Sequence, residues 1–132
     1  MRVLLALVSF ILLIGCANKG STTKSQQMYT EVMQVHDEVM PKMRDIRQYK
    51  KKLNKIEGAK ELEEVQNAIN SLDQAHDSMM DWMAQFKLPK EVSEDDEIKY
   101  LEGQKVSVKE MSDELYGALE IAANTLERFS KE

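Results

Sequence analysis

Between Leu62 and Phe86 one set of positions recurs with helical spacing: Leu62, Val65, Ile69, Leu72, His76, Met79, Met83 and Phe86, at intervals of 3,4,3,4,3,4,3. Only an α-helix brings residues three and four apart onto one face, and a seam this long has to be covered by other helices. The stretch predicts a helix over 59–87, with Glu61, Glu63 and Glu64 suited to its first turn and Pro89 beyond its end. His76 takes a core position in that seam. Trp82, with Ala68 and Ala75 on the same flank, widens the apolar face, as a middle helix touching two neighbours requires.

The flanking stretches supply those neighbours. Thr23 and Gln26 have capping-box spacing, and Val32, Val35, Val39, Ile46, Tyr49, Leu53 and Ile56 follow a 3,4 alternation interrupted at Lys42, which predicts a helix over 24–57. Gly58 is placed to take the left-handed cap. Lys50, Lys51, Lys52 and Lys55 gather where the helix dipole favours cations, which accounts for them more simply than a phosphate or headgroup site would. Pro41 removes an N–H and crowds the carbonyl of Asp37, so a kink is expected there; a fresh helix would need Met40 as its N-cap, a poor one.

Ser93 before Glu94, Asp95, Asp96 and Glu97 is an N-cap with an acidic first turn. A third stripe then runs through Leu101, Val108, Met111, Leu115, Ala118, Leu119, Ala122, Leu126 and Phe129, predicting a helix over 93–130. Nothing alternates like a strand. The fold class expected is all-α: an up-down-up three-helix bundle with long coiled-coil-like helices over 24–132, preceded by a lipoprotein signal peptide.

That leader is residues 1–15. Arg2 is followed by an apolar run from Val3 to Ile14 broken only by Ser9, shorter than the roughly 20 residues a bilayer span needs. Leu13-Ile14-Gly15-Cys16 resembles the bacterial lipobox, which implies lipid on Cys16 and loss of the preceding peptide. Cys16 is the chain's single cysteine, so no intrachain disulfide competes for it. Residues 16–23, the Cys and the small polar run after it, read as a flexible tether. Ala17 rather than Asp beside the Cys resembles outer-membrane sorting, and no acidic run resembling a surface-export signal follows. The expected location is the cell envelope, lipid-anchored on the periplasmic face of the outer membrane.

The two histidines carry the most unusual pattern. His36, Asp37, Met40 and Met43 are repeated 40 residues later as His76, Asp77, Met80 and Met83, so each copy lays an imidazole and two thioethers along one helical stripe. With this doubled HD-x-x-M-x-x-M motif and its long C-terminal helix, the chain resembles small helical lipoproteins of Bacteroidota labelled "viral A-type inclusion protein". That label implies a lineage and no biochemistry.

The net charge of −5, without an arginine-rich or basic-aromatic patch, argues against a nucleic-acid partner. No phosphate loop, locally paired nucleophile or haem-attachment motif is present, and no enzyme activity is expected. Two readings remain. In one, the methionine-rich seam only packs and the bundle is a structural or interaction module touching the membrane through its lipid and another envelope protein through its helices. In the other, a Cu(I) or haem site is built from paired motifs: antiparallel helices turning near Gly58 put His36 level with Met80 and Met40 level with His76, with Met43, Met79 and Met83 as alternates.

Overall fold

Thr23 sets the first helix. In the computed structural model, which describes residues 22–130, its hydroxyl accepts the Gln26 N–H at 3.2 Å, and α1 runs Lys24–Val39. At Pro41 the missing N–H is accommodated by one turn of 3-10 helix, Met40–Lys42, after which α2 runs Met43–Leu53. Val39, Met40, Lys42 and Met43 keep right-handed helical dihedrals, and the Met40 N–H still reaches the His36 carbonyl. α1 and α2 are therefore two segments of one rod, and the expected kink takes the form of a tightened turn. Its consequence for packing is that Met43, not Lys42, follows Val39 into the core ahead of Ile46.

The connection to the next helix is longer than the sequence predicts. The rod stops at Leu53 rather than continuing to 57, because the Asn54 side chain donates to the Lys50 carbonyl at 2.8 Å and the following amides turn back three residues at a time, Lys55 to Lys52 and Ile56 to Leu53. Gly58 does adopt a left-handed conformation, at φ 69°, where an L side chain is disfavoured. It closes this run of turns instead of capping the helix. Its carbonyl accepts from Glu61 and Leu62, which holds residues 59–62 out of the helix, so α3 runs Glu63–Gln85 instead of starting at 59. Gln66 ties the corner by donating to the Ala59 carbonyl at 2.9 Å.

Phe86 leaves the helical region to end α3, and the Lys87 amide donates to the Tyr100 hydroxyl at 3.0 Å across the second turn. Ser93 then caps α4, Glu94–Phe129, accepting the Asp96 N–H and donating to the Asp96 carboxylate. At 36 residues α4 is about 54 Å long. The described residues contain no strand, and no helix among them is long and apolar enough to cross a membrane. The predicted signal peptide, Cys16 and the tether as far as Ser21 lie outside the described residues.

Pairs between helices give the topology. Tyr29 meets Phe86, His36 meets Met83, and Lys50 bonds Asp73, so α3 descends as the α1–α2 rod ascends. Phe86 with Tyr100, Trp82 with Gln104, and Glu64 with Arg128 make α4 antiparallel to α3. Glu31 with Lys105, and a shallow groove shared by Tyr49, Lys52 and Leu126, make α4 parallel to the rod. Three packed helices thus run up, down and up. The cross-helix ion pairs are substantially exposed, so they add little. The fold is held by burial of Val32, Ile46, Leu53, Leu72, Met79, Leu101, Val108 and Leu115, each out of solvent, at about 1.5–3 kcal/mol for a large apolar side chain.

In one respect α3 differs from its predicted face. The buried residues are Val65, Ala68, Ile69, Leu72, Ala75, Met79 and Trp82, so the expected flank of Ala68, Ala75 and Trp82 is buried with most of the seam, and the helix is turned toward that flank and away from the His76–Met83 edge. The reason is area and shape. Trp82 has the largest apolar surface to hide, and Ala68 and Ala75 let α3 lie close against its neighbours. His76 is displaced to the rim, with its side chain 40% exposed.

Candidate site on the α1–α3 seam

Rotation of α3 reverses the expected roles of the two histidines. His36, one position off the predicted seam, is the more buried imidazole, with its side chain 17% exposed. Its Nδ1 lies 2.9 Å from the Asp37 carboxylate, its Nε2 lies 3.1 Å from the Met83 sulfur, and its ring centre lies 5.9 Å from that of Trp82. A carboxylate only accepts, so Nδ1–H donates to Asp37 and Nε2 is left facing the thioether. His76 uses Asp77 in the same way, at 3.1 Å. The Asp following each His thus orients the ring through Nδ1.

The predicted site residues are placed as follows. His36 is brought to Met83, an alternate in the sequence reading, and not to Met80, which is 45% exposed. Met40, in the 3-10 turn, packs half-buried against the core. Met43 and Met79 are buried within it. Since Met83 marks the height of His36, and Met83 and His76 stand seven residues apart on α3, the two imidazoles are offset by about 10 Å along the axis. The expected meeting of two imidazoles and two thioethers at one level is therefore corrected to a single imidazole–thioether pair.

The 3.1 Å between His36 Nε2 and Met83 Sδ leaves no room for a porphyrin between them, so these two atoms are not the two axial ligands of one haem. Among the described residues no three His, Cys, Asp or Glu side chains converge in a way that would hold a metal, so the donors present are the nitrogen and sulfur atoms of this seam.

Aromatic rings surround the pair. Phe86 stacks with Trp82 at 4.9 Å and with both Tyr29 and Tyr100 at 6.2 Å, joining all three helices at the end where α1 begins. Trp82 Nε1–H donates to Gln104 at 2.8 Å. This cluster was not apparent from the sequence, although Trp82 and Phe86 at i,i+4 were the available signal. Surface grooves elsewhere are shallow and open, such as that of about 550 Å³ between Met28 and Val106.

No family model, curated protein or solved structure matches the chain.

Proposed function

We propose that the chain is a lipid-anchored lipoprotein of the bacterial cell envelope, held by Cys16 on the periplasmic face of the outer membrane, whose bundle is a structural and interaction module and not an enzyme. The observation that carries this reading is how the residues are divided. Most large apolar side chains are buried in the three-helix seam, the outer faces are largely charged with scattered exposed apolar residues such as Val106 and Ile121, and the short polar sequence after Cys16 precedes a rod whose longest helix spans about 54 Å. Thr23 and Ser25 share a groove with Leu88 and Glu97, so the start of α1 and the α3–α4 turn sit at the same end. An anchored rod of this kind offers its flanks and far end to another envelope protein. The Bacteroidota resemblance agrees with that setting.

The test is at Cys16. Expressed in a bacterium, the protein is expected to sediment with membranes and to give an intact mass equal to residues 16–132 plus lipid, while Cys16→Ala is expected to release the chain or leave it unprocessed. A mature N-terminus at any other residue, or a wild-type chain that stays out of the membrane fraction, contradicts the anchor.

A further inference from the structure

We propose that His36 and Met83 form a binding site for one soft monovalent cation of the Cu(I) class, with Met80 as the third donor. The proposal stands apart from the lipid anchor, and either can fail without the other.

The starting point is the contact between His36 Nε2 and the Met83 sulfur, 3.1 Å apart and supplied by two different helices. With Nδ1 turned to Asp37, Nε2 and the thioether face each other, and what joins them is either a proton, as an N–H···S hydrogen bond, or a cation held between two donors. A cation bound there is a soft one, because imidazole and thioether together select Cu(I) over the oxygen-seeking Ca²⁺ and Mg²⁺.

The neighbouring residues complete such a site. At this spacing the two donors close a bent pair around a cation, which leaves a coordination position open. Met40 lies four residues after His36 and Met80 three before Met83, and because α1 and α3 are antiparallel both steps run in the same direction, one turn along the seam. Met79 is committed to the core, Met40 packs against it, and Met80 is 45% exposed. Met80 can swing its flexible thioether across without opening a hole in the packing. Asp37 is the outer-shell carboxylate that orients a ligating imidazole. Trp82 is the aromatic neighbour of the pair, its ring centre 5.9 Å from that of His36 and its plane tilted to it by 37°. Access remains, since the His36 side chain is 17% exposed.

Trp82 is the chain's only tryptophan, so its emission reports on this site alone. The whole chain in detergent, in a Cys16→Ser background that removes the one thiol, is titrated with Cu(I) against a chromogenic Cu(I) chelator and with Ag(I) as a redox-inert probe. The expected result is quenching of Trp82 that saturates at one equivalent and is not reproduced by Zn(II). His36→Ala and Met83→Leu are expected to abolish it, Asp37→Asn to weaken binding by about tenfold or more, and His76→Ala to leave it unchanged. Leu keeps the volume of Met83, so an unaltered helical circular dichroism spectrum in Met83→Leu separates loss of a ligand from loss of fold. Absence of stoichiometric binding in the parent chain overturns the proposal and leaves an imidazolium–thioether hydrogen bond. Binding unimpaired in Met83→Leu, or lost equally in His76→Ala and His36→Ala, overturns it as well.

Discussion

Leu115→Ala and Leu72→Ala each remove about 2–5 kcal/mol from the stability of the bundle. Both side chains are fully buried, Leu115 on α4 and Leu72 midway along α3, in the core cluster that also holds Met79 and Val108. The loss combines the transfer of the deleted atoms out of an apolar interior with the cavity left behind, because long packed helices collapse only partly into the gap. A domain of this size is stable by about 5–15 kcal/mol, so either substitution removes a large share of the total. Urea unfolding followed by circular dichroism measures it. A loss below about 1 kcal/mol at both positions would mean that they are not core.

Trp82→Ala is expected to be at least as damaging, at about 3–5 kcal/mol. The indole is buried, stacks on Phe86 at 4.9 Å, and gives its N–H to Gln104 on α4, so one truncation empties volume, breaks an aromatic contact and takes from Gln104 the donor it accepts from. His76→Ala, at the rim of the same helix, is expected to stay within about 0.5 kcal/mol. The contrast distinguishes the two faces of α3. A helix with His76 inward would reverse the order, with His76→Ala costly and Trp82→Ala tolerated.

These residues show what could be read from the chain and what could not. Thr23 and Ser93 announce the starts of α1 and α4, because a hydroxyl accepting an N–H three residues on is a local event, complete within one turn. The helix count and the up-down-up course follow from seam length and the two breaks. The rotation of α3 did not follow, because adjacent stripes on a helix both satisfy a 3,4 spacing. Counting apolar positions ranks His76 and Met83 beside Ala75 and Trp82, and only the size of the indole and the close approach allowed by alanine separate them. The spacing places the end of the first rod too late because Gly58 has the cap conformation while Asn54, a less obvious stop, ends the hydrogen-bond ladder earlier.

The candidate site was legible in its residue types and not in its pairing. Taking Gly58 as the centre of a symmetric turn put His36 opposite Met80; the structure puts it opposite Met83. One local effect pushes in that direction. Side chains on a helix lean toward its N-terminus, so the His36 ring reaches toward higher-numbered residues of an antiparallel partner.

One nuclear Overhauser measurement separates the two registers directly. With methionine methyl groups labelled and assigned, the ring protons of His36 are expected to give a cross-peak to the methyl of Met83, while His76 gives none to Met40. Cross-peaks from His36 to Met80 and from His76 to Met40, without one to Met83, would contradict the arrangement of the seam and the cation site built on it.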